Sequence, residues 1–180
     1  ISPEAFSGCT SLTNVTIPNS VTTIGDGAFL ACPSLKAIEV DVLNPAYSSL
    51  DGVLFDKNRT TLLMCPHGKG GNYTLPNSVT TIESGAFDGC TGLTSVMIPN
   101  SVTFIGNEAF WGCTGLTRVT LPNSVTFIGS EMFYACHALT SITIPSSVAI
   151  IREGAFAYCE SLTSVMIPNS VTRFGEDAFH

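Results

Sequence analysis

The stretch Leu93-Thr94-Ser95-Val96-Met97-Ile98-Pro99-Asn100-Ser101-Val102-Thr103-Phe104-Ile105-Gly106-Asn107-Glu108-Ala109-Phe110-Trp111-Gly112-Cys113-Thr114-Gly115 decides the fold, because the chain repeats it. The Ala-Phe steps (once Met-Phe) place their rings at Phe6, Phe29, Phe87, Phe110, Phe133, Phe156 and Phe179, 23 residues apart except for one gap of 58. That gap is two periods plus twelve residues, so one coil carries an insertion. Pro76, Pro99, Pro122, Pro145 and Pro168 keep the same period, as do Cys90, Cys113, Cys136 and Cys159. Several independent markers sharing one short period indicate a stack of repeated coils.

Each unit follows roughly L-T-x-V-x-I-P-N-S-V-T-x-I-G-x-x-A-F-x-x-C. Val96 and Ile98 alternate with Met97, the period of a strand. Pro99 ends that strand because it has no N–H for the ladder. Pro-Asn-Ser then supplies turn chemistry, and Val102–Ile105 reads as a second short strand. Gly106-Asn107-Glu108-Ala109-Phe110 predicts a single helical turn, with acid where partial positive charge gathers. One such coil cannot bury its own apolar residues, whereas stacked copies bury a continuous column. Seven first strands are expected, starting at Leu12, Leu35, Gly70, Leu93, Leu116, Leu139 and Leu162. At about 4.8 Å per strand they make a stack roughly 30–35 Å long.

Between Val40 and Gly70 the regular turn gives way to Asp41-Val42-Leu43-Asn44-Pro45. Val53-Leu54-Phe55, Asp56-Lys57-Asn58-Arg59 and Thr60–Met64 read as strand, polar turn and strand, a β-hairpin. Residues 41–69 are therefore expected to form a hairpin-bearing variant coil within one solenoid spanning 1–180. Three of the seven basic residues, Lys57, Arg59 and Lys69, lie there. The hairpin either packs on a flank of the stack or protrudes as a recognition loop. Ile1 and Phe179 fall inside repeats and neither end carries a polar cap, so the chain is expected to be a piece of a longer array, open to end-to-end self-association.

The repeated motif resembles the BspA-type leucine-rich repeat of bacterial surface proteins, and Asn44–Phe55 resembles a variant unit of that family. The resemblance spans the whole chain. It implies a right-handed leucine-rich-repeat solenoid, exposure at the cell surface or secretion, and a role in adhesion or protein binding. Where the general leucine-rich pattern has Asn, this chain has Ser20, Ser78, Ser101, Ser124, Ser147 and Ser170. A Ser hydroxyl serves such a turn through a backbone hydrogen bond.

The 180 residues are 44% hydrophobic and only 12% charged, with a formal charge of −7. That balance argues against nucleic acid or an anionic membrane as partner. No apolar run is long enough to span a bilayer. Six of the seven cysteines occupy one repeat position, three residues after the Phe, and the seventh is Cys65. Identical stacked positions point in parallel, awkward for a disulfide, so a column of buried free thiols is expected. Cys65 and His67 sit too close in sequence to work as nucleophile and base, and His67, His137 and His180 read as solvated loop histidines. The acids Glu4, Asp26, Glu108, Glu131, Glu153, Glu176 and Asp177 form a broken ladder that suits helix starts better than calcium. No catalytic, metal or cofactor site is expected. Asn14, Asn58 and Asn72 begin N-glycosylation sequons, relevant only to a eukaryotic source.

Binding surfaces remain. The outward positions of the first sheet include Asn14, Thr16, Ser95, Met97 and Arg118, continuing through Thr120, Ser141, Thr143, Ser164 and Met166. This nearly uncharged field is the expected partner-binding face, because leucine-rich-repeat proteins commonly bind there. A second candidate is the apolar stripe Phe104, Phe127 and Ile150, which either faces solvent as a contact patch or tucks against Trp111 or Tyr134 as extra core. The expected function is non-enzymatic recognition of an extracellular protein or glycan at the cell surface. The alternative is a structural spacer or self-associating stalk whose binding lies elsewhere in the parent protein.

Overall fold

A computed structural model describes all 180 residues. All seven first strands form: β1 (Asn14–Ile17), β2 (Ala37–Val40), β6 (Gly71–Thr74), β8 (Leu93–Met97), β10 (Arg118–Thr120), β12 (Ser141–Thr143) and β14 (Ser164–Met166). They run parallel with repeat positions in register, Asn14 opposite Ala37, Ser95 between Asn72 and Arg118, and Ser141 opposite Ser164. Val96, Val119 and Ile142 point inward and are buried, as period-two alternation requires. After every first strand except β2 the proline carbonyl accepts the N–H of the valine three residues on, as in Val102 to Pro99 at 3.1 Å, which turns the chain onto its second side.

The second side carries the two-residue strands β7 (Thr81–Ile82), β9 (Phe104–Ile105), β11 (Phe127–Ile128), β13 (Ile150–Ile151) and β15 (Arg173–Phe174). Their second residues Ile82, Ile105, Ile128 and Ile151 are buried, whereas Phe174 of β15 is exposed. Ser78 and Ser147 donate to carbonyls of the preceding coil, Arg59 O at 2.8 Å and Val125 O at 2.6 Å, and Ser124 donates likewise to Val102 O. The serine thus ties coil to coil. Ser101 and Ser170 hold buried hydroxyls without a partner.

The third side corrects one expectation: no helical turn forms there. Glu108 has φ of 57° and Gly112 has φ of 63°, and a left-handed residue every fourth position ends any right-handed helical run. Alternate N–H groups point along the stack instead. Glu108, Phe110 and Gly112 donate to Ser130, Met132 and Tyr134 of the next coil at 2.8–2.9 Å. The acids of this side therefore have no helix start to complement, and Glu4, Glu108, Glu131 and Asp177 stand at the left-handed position itself. At the second left-handed position Ala135 has φ of 55°, where an L side chain costs roughly 1–2 kcal/mol. Ala135→Gly should therefore raise the stability read from urea unfolding, and with it the midpoint, by about 0.5–1 kcal/mol after the extra chain entropy of glycine is subtracted. An unchanged or lowered midpoint would contradict this assignment of strain.

The insertion folds as an antiparallel meander, β3 (Tyr47–Leu50), β4 (Val53–Asp56) and β5 (Thr61–Met64), continued in parallel by β7. The hairpin β4–β5 matches the sequence expectation, and its turn is held by Asp56, whose carboxylate accepts the N–H groups of Thr60 and Thr61 at 2.7 Å each. Of the two alternatives, packing prevails: Val53, Leu54, Phe55 and Leu62 are buried. Because neighbours on a strand point oppositely, β4 divides the interior. Leu54 joins an N-terminal cluster with Ile17, Phe29 and Ile38, while Val53 and Phe55 join the larger C-terminal core. Asn44 replaces the lost turn motif. It is fully buried, donates to Pro18 O and Val21 O at 2.8 Å, and accepts from the N–H groups of Ala46 and Tyr47.

Candidate functional site

The outward positions of the first sheet form two columns. Asn14, Ser95, Arg118, Ser141 and Ser164 lie on one, and Thr16, Met97, Thr120, Thr143 and Met166 on the other. Ser95 is half-buried and its hydroxyl donates to Asn72 Oδ1 at 2.8 Å; the others are exposed. Met97 is 60% and Met166 80% exposed, so these thioethers cover no core.

On the second side Phe104 is 44% exposed and meets Phe127 edge-on, ring centroids 5.9 Å apart. Arg152 stands over the Phe127 ring at 4.6 Å, a cation–π arrangement that covers part of the stripe. Ile150 is half-buried and pairs with Phe127 in register. Trp111 and Tyr134 stack on each other instead, 5.4 Å apart with nearly parallel planes.

The variant coil ties its cations down. Lys57 donates to Val42 O at 3.1 Å, Arg59 to Ser49 O at 3.1 Å, and Lys69 to Asp51 O at 2.6 Å. Each neutralises the partial charge of a backbone carbonyl of the variant coil rather than standing free for a partner.

Six of the seven thiols are buried and only Cys9 is exposed. Cys32, Cys113, Cys136 and Cys159 each donate to the carbonyl of the Phe one coil earlier, at 3.0–3.2 Å. Burial pushes the Cys113 and Cys136 thiols well above the usual range and Cys159 up to about 11. The thiolate is the reactive form. A disulfide reagent at pH 8 should accordingly titrate one thiol per chain rapidly and the other six only after denaturant is added; two or more fast thiols would contradict the buried column.

His67 departs from the expected solvated loop. It is only 9% exposed, and burial lowers its basicity. Cys65 is buried and directed at Pro66 O, so the two do not form a nucleophile and base. No three His, Cys, Asp or Glu side chains converge to hold a metal.

His67 also marks what sequence reasoning missed, a cleft of about 660 Å³ on the third side. Its walls are the turns Gly25–Leu30 and Glu83–Asp88, and its floor includes Tyr47, Leu54, Leu63 and Met64. It exists because the variant coil runs from β5 straight to Gly68 without an Ala-Phe turn. The 58-residue gap between Phe29 and Phe87, which lacks an Ala-Phe step, was the signal for it.

Parallel short strands on one side, a proline-asparagine-serine turn and an inward Leu-Val-Ile column in 23-residue coils define a leucine-rich-repeat β-solenoid. The chain belongs to the BspA type leucine rich repeat family, whose profile matches six copies over residues 1–61 and 69–180. A leucine rich cell surface protein from Faecalibacterium prausnitzii has a similar structure, with 38% identity and a TM-score of 0.90, over 99% of this chain and 48% of that one. The T. pallidum leucine rich repeat protein is 31% identical over 97% of this chain and 65% of its own, with a TM-score of 0.55. The pneumococcal vaccine antigen PcpA, at 24% identity and a TM-score of 0.78 over 97% of this chain and 53% of its own, shares the fold. The chain thus spans about half the length of the Faecalibacterium and pneumococcal structures. Comparison with curated proteins finds no match. No helix is long and apolar enough to cross a membrane.

Proposed function

We infer that the chain is a non-enzymatic recognition segment of a bacterial cell-surface or secreted protein, binding protein or glycan through the outer face of its first sheet as one solenoid segment. Membership of the BspA type family supports it, as does likeness to a protein described as a leucine rich cell surface protein. The observation that carries the choice of face is the exposure of Met97 and Met166, at 60% and 80%, on either side of Arg118 in an otherwise Ser/Thr field. Flexible thioethers and a planar cation adapt to many surfaces, and neither contributes to the core here.

The test is a screen of the wild-type chain on a glycan array and on immobilised extracellular-matrix proteins, repeated with Met97→Glu, Arg118→Glu and Met166→Glu combined. All three side chains are exposed, so the fold should survive. At least one captured probe is expected, with capture reduced tenfold or more in the triple variant. Capture that does not change would remove binding from this face and favour a spacer whose repeats supply length.

A further inference from the structure

The third-side ladder is complete between every pair of adjoining regular coils. Glu4, Phe6 and Gly8 donate to Asp26, Ala28 and Leu30; Gly85, Phe87 and Gly89 donate to Asn107, Ala109 and Trp111; later coils follow suit, all at 2.8–3.0 Å. At the variant coil the pattern stops. The corresponding N–H groups of Gly27, Phe29 and Ala31 find no acceptor in the chain, and Gly27 and Phe29 line the cleft. Across the cleft, of the carbonyls of Ser84, Ala86 and Asp88, only Ala86 O is used, by the Cys65 N–H at 2.7 Å. One wall therefore offers a row of free donors and the facing wall two free acceptors, on either side of a missing rung.

Backbone groups in this state are the usual basis for adding a segment of another polypeptide to a sheet edge. The side chains indicate which segment. Asp26, Glu83 and Asp88 line the cleft and no Lys or Arg does, while Ile24, Phe29, Leu54, Leu63 and Met64 give it an apolar floor. His67 lines it too, more than nine-tenths buried and with no hydrogen-bond partner in the chain. The volume of about 660 Å³ falls within the roughly 300–1,000 Å³ of ligand sites. We propose that this cleft binds a short peptide segment carrying lysine or arginine, laid as the missing rung between Gly27–Ala31 and Ser84–Asp88. Its main chain meets the free donors and carbonyls, its apolar side chain covers Leu63 and Met64, and its cation meets the carboxylates. The site lies on a different side of the coil from the first-sheet face, so the two proposals stand or fall separately.

Amide exchange tests the geometry. In the free chain the Phe29 amide should exchange at least a hundredfold faster than those of Phe87, Phe110 and Phe133, whose N–H groups are bonded. Random nonapeptides displayed on phage should then yield enriched sequences containing Lys or Arg. A synthetic peptide of the most enriched sequence should slow the Gly27, Phe29 and Ala31 amides tenfold or more. Its affinity should fall tenfold or more on N-methylation of alternate peptide bonds, and equally with Asp26→Lys or with Leu63→Trp. Absence of enrichment, affinity unaffected by N-methylation, or affinity unaffected by both variants would overturn the proposal. So would a homodimer that Leu63→Trp disrupts, which would assign the cleft to a second copy of the chain.

Discussion

Phe110→Ala should destabilise the chain by about 3–5 kcal/mol, the range for removing a fully buried aromatic ring. Phe110 is 0% exposed and lies between Phe87 and Phe133, with centroids 4.9 and 5.3 Å away and planes within 6° and 8°. Cavities cost most where their walls cannot collapse, and these walls cannot. The Phe87 and Phe110 N–H groups are bonded to Ala109 and Met132, which fixes the spacing of the coils on the same side as the rings. The Phe110 carbonyl also accepts the Cys136 thiol at 3.2 Å, so the lining of the hole belongs to three coils. In a stack held by nearest-neighbour contacts the damage should be local. Hydrogen exchange should speed up first at Phe87 and Met132 and last at Ile17 and Ile38, which belong to the other cluster. Trp111→Ala is the control: its ring is 38% exposed and stacks only on Tyr134, so a loss of about 1 kcal/mol is expected. Equal losses for the two variants, by urea unfolding, would show that the inner column does not hold the stack.

Much of this was legible in the sequence because one coil's constraints are written several times. Val96, Val119 and Ile142 had to face inward together, since the Leu-x-x-Val-x-Ile spacing recurs at a fixed period. What failed was whatever depends on the neighbouring coil. Gly-Asn-Glu-Ala-Phe is compatible with a helical turn, and nothing in Glu108 announces φ of 57°. At that angle the Glu108 N–H reaches Ser130 O of the next coil, and Gly27 and Asp177 hold the same sign of φ without such a bond. A clue was present, because the same position is Gly27, Gly85 and Gly154 elsewhere, and all three also have positive φ. Strand β3 was missed for a related reason. Tyr47-Ser48-Ser49-Leu50 is too polar to read as a strand alone, and it is held by side-chain bonds to β2 and β4 on either side. Ser49 Oγ accepts the Val40 N–H at 3.0 Å and Ser48 Oγ donates to Asp56 O at 2.8 Å. The outward columns of the first sheet were legible from the period-two alternation, whereas the cleft depends on the path of the one coil that breaks the pattern.

That path turns on two residues. Asp51 and Gly52 have φ of 51° and 75°, the left-handed pair of a two-residue hairpin turn between β3 and β4. Gly52 is further constrained because its turn is wedged against β2. A Cβ there would lie 2.7 Å from Ala37 Cβ and 2.9 Å from Ala37 Cα, while Gly52 O already accepts the Ile38 N–H at 2.8 Å. Gly52→Ala must bear roughly 1–2 kcal/mol for the left-handed backbone and a further 1–3 kcal/mol for overpacking against a strand that cannot retreat. A loss of about 3 kcal/mol is the expected result. Asp51→Gly, at an exposed site with the same sign of φ, should be neutral or slightly stabilising. The position of the damage matters more than its size. Because β4 sends Leu54 toward the N-terminal cluster and Val53 and Phe55 toward the other, shifting this turn should loosen both clusters at their junction and disturb the cleft floor at Leu54. Unfolding by urea should then separate into two transitions, with the coils up to Val40 melting first, since their core is the smaller. One unchanged cooperative transition in Gly52→Ala would mean that the two halves are joined by something other than this meander.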